Sequence, residues 1–182
     1  MEEVQRLFLI GPRTCGKSTV AKALGETLTG WQILDLDFEF KIRCTEPGQP
    51  QYQVDGQEYY EGSLALLKEF LKRERFIMAV GGGTFTNSRF ASAGCFKTIQ
   101  ECKESGKIVL LLPPRFHFKN RSILYERESS RILSATKQVV SDNYDARIDF
   151  FRNHADRILY GTNAAGCARK IISVYGLEPE YA

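Results

Sequence analysis

The sequence predicts an α/β protein, a three-layer sandwich built on an open, five-stranded parallel sheet with helices on both faces. Three observations predict it. The runs RLFLIG (6–11), WQILDLD (31–37), FIMAVGG (76–82), KIVLLLP (107–113) and DRILYG (156–161) have the length and continuous hydrophobicity of strands buried on both faces. Segments of helical period alternate with them, which implies right-handed β-α-β crossovers. Between the first run and the first helical segment lies a glycine-rich turn, GPRTCGKS, at 11–18.

The first strand (6–11) leads into that turn, and a helix is expected from Lys17 to about Thr29. Gly11-x-x-x-x-Gly16-Lys17-Ser18 is a phosphate-loop pattern, and it stands where such a loop must, after a strand and before a helix. Its glycines let successive backbone N–H groups point at phosphate oxygens. The new helix adds the positive end of its dipole. Lys17 would reach the β- and γ-phosphates, and the Ser18 hydroxyl would ligate Mg²⁺. ATP is therefore the expected nucleotide, held by Gly11, Arg13, Thr14, Cys15, Gly16, Lys17, Ser18 and Thr19. For Cys15, a thiol near a helix N-terminus, space-filling is the preferred reading over reactivity.

The second strand (31–37) begins at Trp31, a packing residue, and ends in ILDLDFEF. Asp35 and Asp37 fall at i and i+2, on one side of an extended chain. Buried in the core such a pair would be costly, so the strand's carboxyl end suits it. There it can face Mg²⁺ and a substrate hydroxyl, or simply be a solvated strand end with turn-forming aspartates. The Pro-, Gly- and Gln-rich segment 44–57 reads as a surface loop. Tyr60, Leu64, Leu67 and Leu71 then recur at helical spacing.

The third strand runs into AVGGGTF (79–85), where three bare positions admit the close approach of another molecule or backbone, or form a flexible turn. After the fourth strand, a helix is expected with Asp142 as N-cap, carrying Arg147. The fifth strand precedes a final helix from near Asn163 to Gly176. His117 and His154 have no acidic or cysteine partner at ligand spacing and read as surface or packing residues.

Composition narrows the function classes. A chain of 182 residues suits one domain. Its 25 basic and 22 acidic residues, a formal charge of +3, give no argument for a nucleic-acid or anionic-membrane partner. The 5 cysteines form no CxxC pair, so reduced thiols are expected instead of zinc or a disulfide framework. No apolar run is long enough to span a membrane. MEEVQRLF is acidic and enters a strand at once, unlike a signal peptide. These features predict a cytoplasmic location, and with no coiled-coil pattern a monomer is the default.

The chain resembles the shikimate kinases, a nucleoside-monophosphate-kinase-like group of P-loop small-molecule kinases, from about residue 6 to 175. LFLIGPRTCGKSTVAKAL looks like that family's opening strand, loop and helix. DLD matches its D-x-D and GGG its glycine triplet. NRSILYERESSR carries Arg121 and Arg131 ten apart, like the adenine-side and lid arginines of some members. DARIDFFRNHAD is similar to the family's R-x-x-x-Y-x-x-x-A, with Phe151 for tyrosine. The resemblance implies a single P-loop kinase domain, with a substrate-binding segment at about 38–62 and a lid at about 115–140. It further implies that Asp35 helps hold Mg²⁺ and that Asp37 bonds the acceptor hydroxyl. Gly82 and Gly83 would pack against the substrate ring, and Arg147 would pair with its carboxylate. Arg131 would close over the transferred phosphoryl group. The implied reaction is ATP-dependent phosphorylation of shikimate to shikimate 3-phosphate, with no nucleic-acid or membrane partner.

Two departures qualify that expectation. Aligning QEYYEGS on the family's F-R segment puts Tyr60 where an arginine grips the substrate carboxylate. A charge-assisted hydrogen bond is worth about 1.5–3 kcal/mol and a tyrosine hydroxyl about 1, so affinity would fall roughly tenfold. Lys41 or Arg43 would have to compensate, or the acceptor is another cyclitol or sugar acid. The family's Arg-Pro-x-Leu also becomes Arg131-Ile-Leu-Ser, which makes Arg127 a competitor for the lid role. From a different class, a nucleotide-binding regulatory module without transfer activity is the remaining alternative.

Overall fold

A computed structural model describes residues 4–44, 56–86, 93–113, 117–131, 135–161 and 163–179. The chain runs β1 (Arg6–Ile10), α1 (Lys17–Gly25), β2 (Gln32–Asp35), α2 (Leu36–Cys44), α3 (Gly56–Phe70), β3 (Phe76–Ala79), α4 (Ala93–Ser105), β4 (Lys107–Leu112), α5 (His117–Ser129), α6 (Lys137–His154), β5 (Arg157–Tyr160) and α7 (Ala164–Tyr175). All five expected strands are present, each trimmed at its ends. Most of the expected loop at 44–57 lies outside the described residues, as do 115–116 and 132–134 within the expected lid.

The strands pair in parallel in the order β2-β3-β1-β4-β5. From β1 the chain moves outward to β2, returns to β3, then crosses to β4 on the opposite side. The direction of winding thus reverses beside β1, and a crevice forms there beyond the carboxyl ends of the strands. Right-handed crossovers put α1 on one face, where α7 packs against it, and α3 and α4 on the other. The middle strands are buried except for the first residues of β1 and β4, Arg6 and Lys107. Leu7, Phe8, Leu9 and Ile10 of β1 and all of β3 lie in the core, and Phe8 meets Phe76 edge-on at 5.5 Å. A rigid, doubly covered β1 is what holds the loop after it in place.

Three local expectations need correction. β2 stops at Asp35, so Asp37 is not on an extended chain but in the first turn of α2. The cause is capping: Asp35 Oδ1 accepts from Phe38 N–H at 3.2 Å and starts the helix. Asp142 is not an N-cap. α6 begins earlier, with Thr136 accepting from Val139 N–H, and Asp142 lies inside the helix bonded to Gln138. α1 ends at Gly25, short of Thr29. The last helix is as expected, with Asn163 capping its start and Gly176 (φ 59°) its end. Trp31 is buried and donates to Glu178 O at 3.2 Å, and His154 packs on Phe150 at 4.5 Å.

Candidate active site

The chain leaves β1 through Gly11 (φ 144°) and enters α1 through Gly16 (φ 102°), both in backbone regions that favour glycine. α1 starts with no side-chain cap and no acidic residue in its first turn. The amides of that turn, with the positive end of the helix dipole, form an anion-binding end. Lys17 is 9% exposed, and its Nζ donates to the carbonyls of Gly11 at 3.0 Å and Pro12 at 2.9 Å. An ammonium held only by neutral acceptors gains when charged phosphate oxygens replace them. Cys15 is buried with Sγ 3.9 Å from the Lys17 ammonium, filling the interior of the loop. Ser18 and Thr19 are exposed on the first turn.

A cavity of about 260 Å³ opens beside the loop, lined by Thr14, Cys15, Gly16 and Thr19. Arg127 and Arg131 border it from the end of α5, and Gly161, Asn163 and Cys167 from β5 and α7. α5 is tied to the loop through Arg13 Nε to Glu128 Oε1 at 2.9 Å and Arg127 Nη1 to Thr14 O at 3.1 Å. Thr14 Oγ1 adds a bond to Leu124 O at 3.3 Å. Both candidate lid arginines therefore border the cavity, and Arg127 is the one bonded to the loop. Arg121 does not border it. Its guanidinium pairs with Asp145 at 2.6 Å across α5 and α6.

The glycine triplet after β3 has three different reasons. A Cβ on Gly81 would collide with the Asp37 carboxylate and with the hydroxyls of Tyr59 and Thr84. A Cβ on Gly82 would stand 3.2 Å from Arg13 N and 3.3 Å from Gly11 O, pressed on the phosphate loop. At Gly83 it would meet open space. Gly82 O also accepts from Arg147 Nη1 at 3.3 Å. The Arg147 guanidinium is half-buried, and burial first, then the charge of Arg13, lowers its pKa from the ordinary arginine value. It stays charged all the same. Two cations thus flank the junction of the loop and the triplet.

Tyr60 is 3% exposed and packs in the core between α3 and the sheet. This corrects the expectation that it lines the acceptor site. An arginine at 60 would carry its charge into that core. The side chain that does reach the site is Tyr59, whose hydroxyl donates to Asp37 Oδ1. Arg43 is not available to compensate, since it pairs with Glu39 and Glu69 and lies over the Phe70 ring. Lys41 is exposed on α2.

Phosphate loop, carboxylates after β2, glycine triplet after β3 and Arg147 on α6 thus meet at one end of the sheet. The model of the family described as shikimate kinase matches residues 13–175. The chain belongs to the shikimate kinase family. Its relatives in that family include the shikimate kinase of Tolumonas auensis, 26% identical over 184 residues that cover 97% of this chain and 100% of the relative. The bifunctional shikimate kinase/3-dehydroquinate synthase of Thermotoga maritima is 28% identical over 150 residues. That match takes in 80% of this chain but only 27% of the bifunctional protein. A shikimate kinase from Acinetobacter baumannii, solved in complex with shikimate, shares the fold at a TM-score of 0.72 and 22% identity. The alignment covers 94% of this chain and 92% of that one. This member of the family combines the phosphate loop with Tyr59 bonded to Asp37 and Tyr60 buried in the core.

Proposed function

We propose that this chain transfers the γ-phosphoryl group of ATP to a ring hydroxyl of shikimate, giving shikimate 3-phosphate. Family membership supports the reaction class. One observation carries the rest: Gly82 touches the phosphate loop on one side and accepts from Arg147 on the other. That contact joins a phosphate-binding turn directly to a cation suited to a substrate carboxylate.

In this reading the amides of Gly16 to Thr19, with Lys17, hold the phosphates, and Asp37 orients the acceptor hydroxyl and takes its proton. Arg147 pairs with the carboxylate, Gly82 and Gly83 lie under the ring, and Arg131 or Arg127 covers the moving phosphoryl group. Phosphoryl transfer asks for this kind of positioning and charge neutralisation more than for covalent chemistry by the protein. Mg²⁺ bound with ATP neutralises phosphate charge and needs only one or two oxygen ligands from the protein. The exposed Ser18 hydroxyl and the half-exposed Asp35 carboxylate are donors of that kind. Segments 38–62 and 115–140 act as acceptor side and lid of one kinase domain. The free, buried thiols of Cys15, Cys102 and Cys167 support a cytoplasmic placement, and a monomer completes the reading.

A second acceptor class is favoured by one feature. With Tyr60 in the core, the first turns of α3 bring no cation to the site, which suits a cyclitol or sugar acid with weaker demand for a carboxylate grip. A coupled ADP-release assay with ATP, Mg²⁺, shikimate, quinate, gluconate and aminocyclitols separates the cases. Turnover on shikimate is expected. Preference for an acceptor without a carboxylate would move the assignment to the second class. Nucleotide binding without turnover on any acceptor would make the chain a regulatory module.

A further inference from the structure

We infer that Tyr59 is a positioning residue for phosphoryl transfer, acting by fixing the Asp37 carboxylate. The inference rests on the reading that Asp37 meets the acceptor hydroxyl.

Tyr59 lies in the first turn of α3, and the packing of α2 on α3 brings it to Asp37. Gly62 on α3 leaves room for Phe40 of α2: a Cβ there would stand 2.5 Å from the Phe40 ring. Phe40 is fully buried and takes the Tyr59 ring edge-on at 5.0 Å, with the planes at 73°. The phenol is thereby held in one orientation, and its hydroxyl donates to Asp37 Oδ1. Gly81 closes the pair from the sheet side, its bare backbone occupying the space that any side chain would take from both groups. Carboxylate and phenol are thus clamped between a fixed aromatic ring and a fixed strand end.

The chemistry of the pair follows from its setting. Burial and then the Asp37 charge push the Tyr59 phenol above its usual range, which keeps its proton on the phenol to donate to Oδ1. The bond from the phenol to Oδ1 restricts rotation of the carboxylate about its Cβ–Cγ bond. With Oδ1 held, the plane of the carboxylate is set, and so is the direction from which it meets an acceptor hydroxyl. Small errors of that direction are costly, because transfer depends on a near in-line approach of the attacking oxygen. Tyr59 touches neither reactant in this account. It works through Asp37 alone.

That last property makes the test decisive. Tyr59→Phe keeps the ring and its contact with Phe40 and removes only the hydroxyl. It is expected to lower kcat for the preferred acceptor about tenfold, with the KM for ATP unchanged and the thermal melting temperature shifted by only a few degrees. Gly81→Ala, which pushes on the same pair from the other side, is expected to lower kcat similarly and serves if Tyr59→Phe folds poorly. Each is then combined with Asp37→Asn. If Tyr59 acts through Asp37, neither change lowers kcat by more than about twofold in the Asp37→Asn background, because coupled residues are not additive. Full multiplication of the separate losses, or a Tyr59→Phe kcat within twofold of the parent, overturns the inference. Near-normal turnover by Asp37→Asn alone is a different failure: it removes the acceptor role of Asp37 and this inference with it.

Discussion

Lys17→Ala is expected to lower turnover about a thousandfold while the fold is retained. The ammonium sits on the carbonyls of Gly11 and Pro12, and among the described residues no acid forms an ion pair with it. Its energy is realised when it faces the negative charge that builds on the transferring phosphoryl oxygens. Losing one such preorganised donor costs about 3–4 kcal/mol of transition-state stabilisation, or two to three decades in rate. The folded state loses much less, since the two carbonyls lie in a loop that water can reach once the side chain is gone. Steady-state kinetics with saturating ATP and acceptor, beside thermal melts of both proteins, check the split. Near-normal turnover would refute the phosphate role of Lys17.

Arg147→Ala is expected to act on the other reactant. If its guanidinium pairs with the substrate carboxylate, truncation removes a charge-assisted bond worth about 1.5–3 kcal/mol. The KM for shikimate then rises about ten- to a hundredfold, with a small change in kcat and none in the KM for ATP. The effect should stand near the upper end. Tyr60 is in the core and Arg43 is occupied with Glu39, Glu69 and Phe70, so neither replaces the lost cation. Initial rates over a range of shikimate concentrations give the answer. An unchanged KM would mean that the carboxylate is bound elsewhere or that the acceptor has none.

Much of this was legible in the residues, and the reasons are specific. Strands buried on both faces leave long apolar runs, so β1, β3 and β4 stand out whatever their neighbours do. The phosphate loop is legible because its chemistry is local: two glycines, a lysine and a hydroxyl within eight residues, framed by a strand and a helix. The acceptor side is less so. Asp37 is expected on an extended strand, but Asp35 caps a helix and ends the strand two residues earlier than the apolar run suggests, and a cap is decided by a side chain's choice of one amide.

Tyr60 is more instructive. Two signals disagreed there: the Tyr60, Leu64, Leu67, Leu71 stripe put it on the buried face of a helix, while alignment with the family's F-R segment put it in the site. The stripe was right, because burial of an apolar face decides how a helix is rotated, and Tyr59 comes to the site as a result. The pairing of Arg121 is not legible either, since its partner Asp145 lies on a different helix, 24 residues away. Only Glu128, also missed, had a hint in sequence, as an acid among the arginines of RESSR.

The central claim is that the turn after β1 holds a triphosphate whose end points at the carboxylates after β2. A crystal structure with ADP and shikimate bound tests it most directly. The account predicts phosphates on the amides of Gly16 to Thr19, Lys17 Nζ moved from the Gly11 and Pro12 carbonyls onto phosphate oxygen, and a shikimate hydroxyl at Asp37. Nucleotide bound away from this turn, or Asp37 turned from the phosphates across the molecule, would contradict it.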